Sequence, residues 1–210
     1  AAGTVTHTVK LTNPSSKTVS VGYGTEDVTA EAGSDFQSST GTLTFAPGET
    51  EKQIVVRIND DAQYEGSENF KVTLVNPSAG VALATGAASV TTAIVDDGTG
   101  LPPGGGTPND DRPRVSGVSS PSAAEGQPLV FQVQLSNPAK QPEVVKFALL
   151  SGTTGAAATP GVDTPTEIEV SVNGGQSFQK VTLAPDGSFS VTVPADQTGI
   201  TVRVPTTADG

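Results

Sequence analysis

The stretch Asn59-Asp60-Asp61-Ala62-Gln63-Tyr64-Glu65-Gly66-Ser67-Glu68-Asn69-Phe70 places four carboxylates within nine positions. It follows directly on the alternating apolar run Ile54-Val55-Val56-Arg57-Ile58. Only Arg57 and Lys71 stand near it in sequence with the opposite charge. Like charges gathered at the end of a strand repel unless a cation sits among them. A hard divalent ion suits such a cluster, and calcium takes about six to eight oxygen ligands from carboxylates and carbonyls. Taken in isolation, the stretch also reads as a solvated acidic turn.

Carboxylates far apart in sequence can meet only if the elements around them bring them together. With 210 residues, the chain is long enough for one large or two ordinary domains. Gly 24, Pro 16 and 4% aromatics favour short strands and tight turns over helices. Residues 4–12, 19–23, 43–45, 54–58, 70–74 and 89–95 read as strands of period two. They are separated by turn signals such as Asn13-Pro14-Ser15 and Pro47-Gly48-Glu49. Residues 99–111 combine Pro102-Pro103 with Gly104-Gly105-Gly106 and have little to bury, as a linker does. A second strand series covers residues 115–118, 129–135, 144–150, 167–172, 178–183, 189–193 and 200–204. Within it, Asn173-Gly174-Gly175 and Pro185-Asp186-Gly187 each read as hairpin turns.

The two series repeat. Val9-Lys10-Leu11-Thr12-Asn13-Pro14 matches Val133-Gln134-Leu135-Ser136-Asn137-Pro138. Gly33-Ser34-Asp35 matches Gly161-Val162-Asp163, and Val56-Arg57-Ile58 matches Val202-Arg203-Val204. The growing offset marks an insertion in the second copy, which the Asn-Gly-Gly hairpin fills. The expected fold is all-β: two tandem antiparallel β-sandwiches joined by a Gly/Pro-rich linker. Residues 1–98 form the first, 99–111 the linker, and 112–210 the second, which carries the inserted hairpin.

Ala32-Gly33-Ser34-Asp35-Phe36, Gly41-Thr42-Leu43-Thr44-Phe45-Ala46-Pro47-Gly48-Glu49, Ile58-Asn59-Asp60-Asp61, Glu65-Gly66-Ser67-Glu68-Asn69-Phe70 and Ile94-Val95-Asp96-Asp97-Gly98 together resemble a Calx-β domain. Residues 115–210 more loosely resemble a second member, of the variety with an inserted hairpin found in large bacterial RTX adhesins. Glu125-Gly126, Gly161-Val162-Asp163 and Val204-Pro205-Thr206-Thr207 carry that second likeness. The resemblance implies that each is a seven-stranded Ig-like sandwich, with calcium bound by loops at one end. Its ligand pattern falls on Asp35, Asp60, Asp61, Glu65, Glu68, Asp96 and Asp97, with the Gln63 backbone carbonyl as a further donor. It also implies that the first copy lacks the family's opening Glu-Gly strand and the second its last strands. Glu125, Asp163 and Asp209 then form at most a partial site in the second copy, and Asp110 and Asp111 stand at the junction.

Other chemistries find little support. Net charge is −11, with 12 acids and 5 bases in residues 1–100 and 10 acids and 6 bases in the remainder, so nucleic acid is not an expected partner. Cysteine is absent and His7 is the sole histidine, expected as a surface side chain; thiol, Ser-His and histidine-zinc catalysis are therefore not expected. No run approaches the roughly 18 apolar residues of a membrane span, so direct insertion is not expected either. The expected function is a calcium-stiffened extender module of an adhesin secreted to the cell surface by a Gram-negative bacterium. Its partners would be calcium ions and neighbouring repeats, and its role non-enzymatic. The alternatives are a glycan- or protein-binding module using loops of the second copy, with Phe178 and Phe189 as the aromatics to watch, and a calcium-sensing regulatory domain of the exchanger type.

Overall fold

The computed structural model describes residues 3–96, 110–124, 126–149 and 166–206. The chain divides into two compact units, Ala1–Asp111 and Arg112–Gly210. Every ladder between named strands is antiparallel, and the described residues contain no helix.

In the first unit the strands are β1 (Gly3–Lys10), β2 (Val19–Asp27), β3 (Thr40–Phe45), β4 (Glu51–Ile58), β5 (Ser67–Val75) and β6 (Ser89–Val95). One sheet runs β3-β2-β5-β6 and the other pairs β1 with β4. Period-two patterning sends Val19 and Val21, Leu43 and Phe45, Ile54 and Val56, and Phe70 and Val72 into one shared core. Phe36, Phe70 and Val56 are 0% exposed. Each such side chain contributes about 1.5–3 kcal/mol through removal from water. At the β3–β4 turn, the Glu49 amide donates to the Ala46 carbonyl at 2.9 Å and the Ala46 amide to Glu49 Oε2 at 2.9 Å. The turn signal Pro47-Gly48 sits between those two bonds.

The second unit contains β7 (Val115–Val118), β8 (Leu129–Leu135), β9 (Glu143–Ala148), β10 (Glu167–Ser171), β11 (Gln179–Thr182), β12 (Ser188–Val193) and β13 (Gly199–Val204). The larger sheet has the order β11-β10-β13-β8-β7, and β12 pairs β9. The Asn173-Gly174-Gly175 signal closes the β10–β11 hairpin as its residues imply. The Ser171 hydroxyl, 2% exposed, accepts from the Gly175 amide, and Asn173 Oδ1 accepts from the Ser177 amide at 3.0 Å.

Two readings of the sequence are corrected here. Pro185-Asp186-Gly187 is a tight turn, with Gly187 at φ 77° and its amide on the Ala184 carbonyl, but it is not a hairpin. The strands it joins belong to different sheets, β11 beside β10 and β12 beside β9. The Gly187 carbonyl also accepts from the Leu149 amide at 2.9 Å, and a side chain at Gly187 would run into the Leu149 carbonyl oxygen. That packing ties the turn to the β9 side of the sandwich.

The repeat alignment also shifts by one pleat. The Leu11 amide donates to the Thr50 carbonyl at 2.8 Å, and its counterpart Leu135 donates to Thr198 at 2.8 Å. Val5 pairs Val56 across β1–β4, while Leu129 pairs Val204 across β8–β13. Ile54-Val55-Val56 is therefore the structural equivalent of Val202-Arg203-Val204, two positions away from the match by letters. A shift of two keeps the same side chains facing the core, so the residue pattern cannot register it.

His7 is expected at the surface but is half-buried. It stands edge-on to the Phe70 ring at 6.3 Å, and its Nε2 lies 3.3 Å from the Thr92 hydroxyl of β6. Burial holds its pKa below the ordinary value of 6.5, because an imidazolium there loses hydration. The unfolded chain then takes up the proton first. The contribution of His7 to the first unit's stability is fully present above about pH 6.5 and is lost as pH falls through the lowered value. Thermal melts between pH 7.5 and 5 should show this decline, and His7→Gln should flatten it.

Candidate metal centre

Three sequence-distant segments converge at one end of the first sandwich, and apolar anchors decide where they go. Phe36 is wholly buried and stacks on Phe70, with ring centroids 4.6 Å apart and planes 23° from parallel. Gly33 takes φ 103°, a conformation closed to most L residues, and so reverses the chain just before that anchor. The Gly33 amide donates to the Phe36 carbonyl at 2.8 Å, and the Asp35 amide to the Glu31 carbonyl at 3.0 Å. Inside this small turn, Asp35 is drawn to 6% exposure. Its Oδ2 accepts from the Glu31 amide at 2.6 Å, which fixes the carboxylate's orientation.

The end of β4 is laced to the same turn. The Asn59 amide donates to the Asp35 carbonyl at 2.9 Å, Asn59 Nδ2 to the Gly33 carbonyl at 2.8 Å, and the Gln37 amide to the Arg57 carbonyl at 2.9 Å. On the other side, Glu68 lies two positions before Phe70 on β5 and therefore on the same, inward face. Glu65 enters from the loop before β5, and its amide donates to Asp96 Oδ2 at 2.8 Å.

The outcome is a group of three carboxylates, Asp35, Glu65 and Glu68, each offering an oxygen within 4.8 Å of the others. All three stand among the residues singled out in the sequence. Asp96 joins their edge through the Glu65 amide, with its Oδ1 buried. Asp60 and Asp61 lie exposed on the loop between β4 and β5, where Asp61 Oδ1 accepts from the Gln63 amide at 2.8 Å. That bond shapes a local turn and engages the amide of Gln63. The Asp111 amide donates to the Asp96 carbonyl at 3.0 Å, so the run Asp110-Asp111 is attached to the first unit near this end. Asp97, Glu125, Asp163 and Asp209 lie outside the described residues.

Lys71, one of the two cations close in sequence, turns away and pairs with Glu26 at 2.9 Å on the exposed face. Three carboxylate oxygens so close, one of them almost buried, strengthen one another's repulsion in a medium less polar than water. An all-oxygen donor set at the end of a rigid sandwich matches a hard cation of calcium's class, and neither His nor Cys is among the donors. Sequence reasoning passed over Asn59 and Glu31 as positioning groups. The signal for Asn59 was its place directly before Asp60-Asp61; Glu31 acts through its backbone and left none.

The two aromatics singled out in the second unit differ in their surroundings. Phe189 stacks on Phe147 with centroids 5.4 Å apart and packs against the core. Phe178 lies outside that cluster with the Arg203 guanidinium 3.6 Å over its ring. No helix among the described residues is long and apolar enough to cross a membrane.

Comparison with known proteins gives the following. Residues 1–99 match the family described as "Calx-beta domain". The chain is 54% identical over 59 residues to sodium/calcium exchanger 1 of Canis lupus familiaris, a match covering 28% of this chain and 6% of that protein. Among solved structures, the Calx CBD1 domain in its apo form is 39% identical at a TM-score of 0.40, covering 42% of this chain and 80% of that one. The calcium binding domain CBD12 of CALX1.1 is 20% identical at a TM-score of 0.43, covering 96% and 68%. The chain thus spans a small fraction of the exchangers it matches.

Proposed function

We propose, from the premise that residues 1–99 form a Calx-beta domain, that the first unit is a calcium-binding module whose acidic end the ion orders. The observation that carries this is the convergence of Asp35, Glu65 and Glu68 within 4.8 Å at one sandwich end. These three would hold the ion, with Asp96 beside them and Asp60 and Asp61 on the loop between β4 and β5. Calcium would supply the positive charge that offsets their mutual repulsion. The protein supplies the preorganisation. The Phe36–Phe70 stack sets the floor, Gly33 the turn, and the Asn59 bonds tie the Asp35 turn to the end of β4. Without the ion, repulsion works against this arrangement; with it, the loops cohere.

In the whole protein, such a unit in tandem with a second sandwich serves as a stiffened spacer of a secreted adhesin, filling with calcium outside the cell. The absence of cysteine and the acidic surface support that setting, since stability there would come from packing and bound ions. A second reading, a calcium-sensing regulatory domain, is favoured by the identity shared with the sodium/calcium exchanger.

Calorimetric titration with calcium, together with melting and small-angle scattering, tests both. Saturating calcium should raise the melting temperature of the first unit, with about 2.7 kcal/mol gained at a hundredfold excess over Kd. An unchanged melting temperature and an unchanged particle length would sink the proposal. A Kd of about 10⁻⁴–10⁻³ M would match calcium modules that work outside cells, and about 10⁻⁷–10⁻⁵ M would match a sensor.

A further inference from the structure

The Asn173-Gly174 pair of the β10–β11 hairpin has a reactivity of its own, apart from shaping the turn. The Cγ of an asparagine can be attacked by the backbone nitrogen of the next residue, and that residue's Cβ and side chain stand in the way. Glycine has neither. Asn13, Asn76 and Asn137 precede prolines, which lack a backbone N–H, and Asn59, Asn69 and Asn109 precede larger side chains. Asn173 is thus the one asparagine of the chain whose successor leaves the attack open. Gly174 stands at φ 70°, and beyond its chain neighbours no atom lies within 4 Å of where a Cβ would be. Both residues are exposed, so water reaches the pair.

The native hairpin holds the carboxamide still. Asn173 Oδ1 accepts from the Ser171 hydroxyl at 2.8 Å and from the Ser177 amide at 3.0 Å, while Nδ2 donates to the Ser177 hydroxyl at 2.8 Å. Buried Ser171 Oγ accepts in turn from the Gly175 amide at 2.9 Å. The Phe178 ring closes the loop, 3.9 Å from where a Cβ of Gly175 would stand and under the Arg203 guanidinium. Both ends of the carboxamide are therefore engaged across the loop. Cγ can swing onto the Gly174 nitrogen only when these bonds break.

We propose that Asn173 is a site of spontaneous deamidation, held off by the folded hairpin and released when the hairpin opens. In the open state the Gly174 nitrogen forms a bond to Asn173 Cγ and gives up its proton, and Nδ2 leaves as ammonia. Water then opens the cyclic imide at one of its two carbonyls, giving aspartate or isoaspartate; no other reactant is needed. The two products act differently on the hairpin. Aspartate keeps both bonds accepted by Oδ1, and the Ser177 hydroxyl turns from accepting to donating. Isoaspartate adds a methylene to the backbone between Ser171 and Gly175, which draws the Gly175 amide off the buried Ser171 hydroxyl. The change is irreversible, so hairpins that have opened are recorded in the chain.

Peptide mass mapping of the whole chain, incubated at mildly alkaline pH, tests this. Residue 173 should convert at least about tenfold more slowly in the folded chain than in a synthetic peptide of residues 169–179. Ser177→Ala removes the acceptor of Nδ2 at an exposed position. It should speed both conversion and hydrogen exchange at the Gly175 amide, by the same factor, because one opening event governs the two. Ser171→Ala removes a donor to Oδ1 and should also speed conversion; if it prevents folding, Ser177→Ala decides alone. Equal rates in chain and peptide, or Ser177→Ala converting no faster than the parent, would overturn the proposal. Slower conversion in a folded Ser171→Ala chain would overturn it as well, since the bonds to Oδ1 would then promote the attack.

Discussion

Phe70→Ala lowers the stability of the first unit by about 3–5 kcal/mol, the range for emptying a buried phenylalanine site. Phe70 is 0% exposed, stacks on Phe36 and meets the His7 ring. The surroundings cannot close the cavity easily, because Phe36 and Val56 are themselves fully buried against the same core. The loss should extend to the acidic end. Asp35 precedes Phe36 and Glu68 stands two positions before Phe70, so both carboxylates are positioned by the ring stack that the substitution removes. Denaturant unfolding should show a loss of that size confined to the first unit's transition, and calcium titration a weaker affinity. A variant with the stability loss but undiminished calcium affinity would show that the stack does not position the site.

Asp35→Asn should act in opposite directions depending on calcium. The amide oxygen of asparagine can still accept the Glu31 amide, so the turn keeps its bond. One of the three converging charges disappears, and the repulsion with Glu65 and Glu68 falls. In chelator the variant should therefore melt at or above the parent temperature. In saturating calcium it should lose most of the roughly 2.7 kcal/mol that the ion gives the parent at a hundredfold excess over Kd. Melting curves with and without calcium check both halves. A variant destabilised equally in both conditions would make Asp35 a structural residue and not a ligand.

Strand identity was open to reading because it rests on local patterning. Alternation such as Ile54-Val55-Val56 and turn residues such as Asn173-Gly174-Gly175 act over a few positions, and the structure places strands over those runs. The clustering of acids was equally plain. Their sorting was not. Asp35, Glu65 and Glu68 meet because Phe36 and Phe70 stack, while Asp60 and Asp61, equally acidic, stay exposed on the loop. The surroundings of His7 and Phe178 were not legible for a related reason: the partners that decide them, Phe70 and Arg203, are remote in sequence.

The sequence by itself determined that this chain is all-β, twofold repetitive and strongly acidic near residues 59–70. Those properties follow from side-chain period, turn chemistry and charge, which need no distant partner. Only the tertiary structure decided which three carboxylates converge and how the second copy aligns by one pleat. Register depends on which strands pair. A period of two is indifferent to a shift of two, so that choice falls to long-range packing.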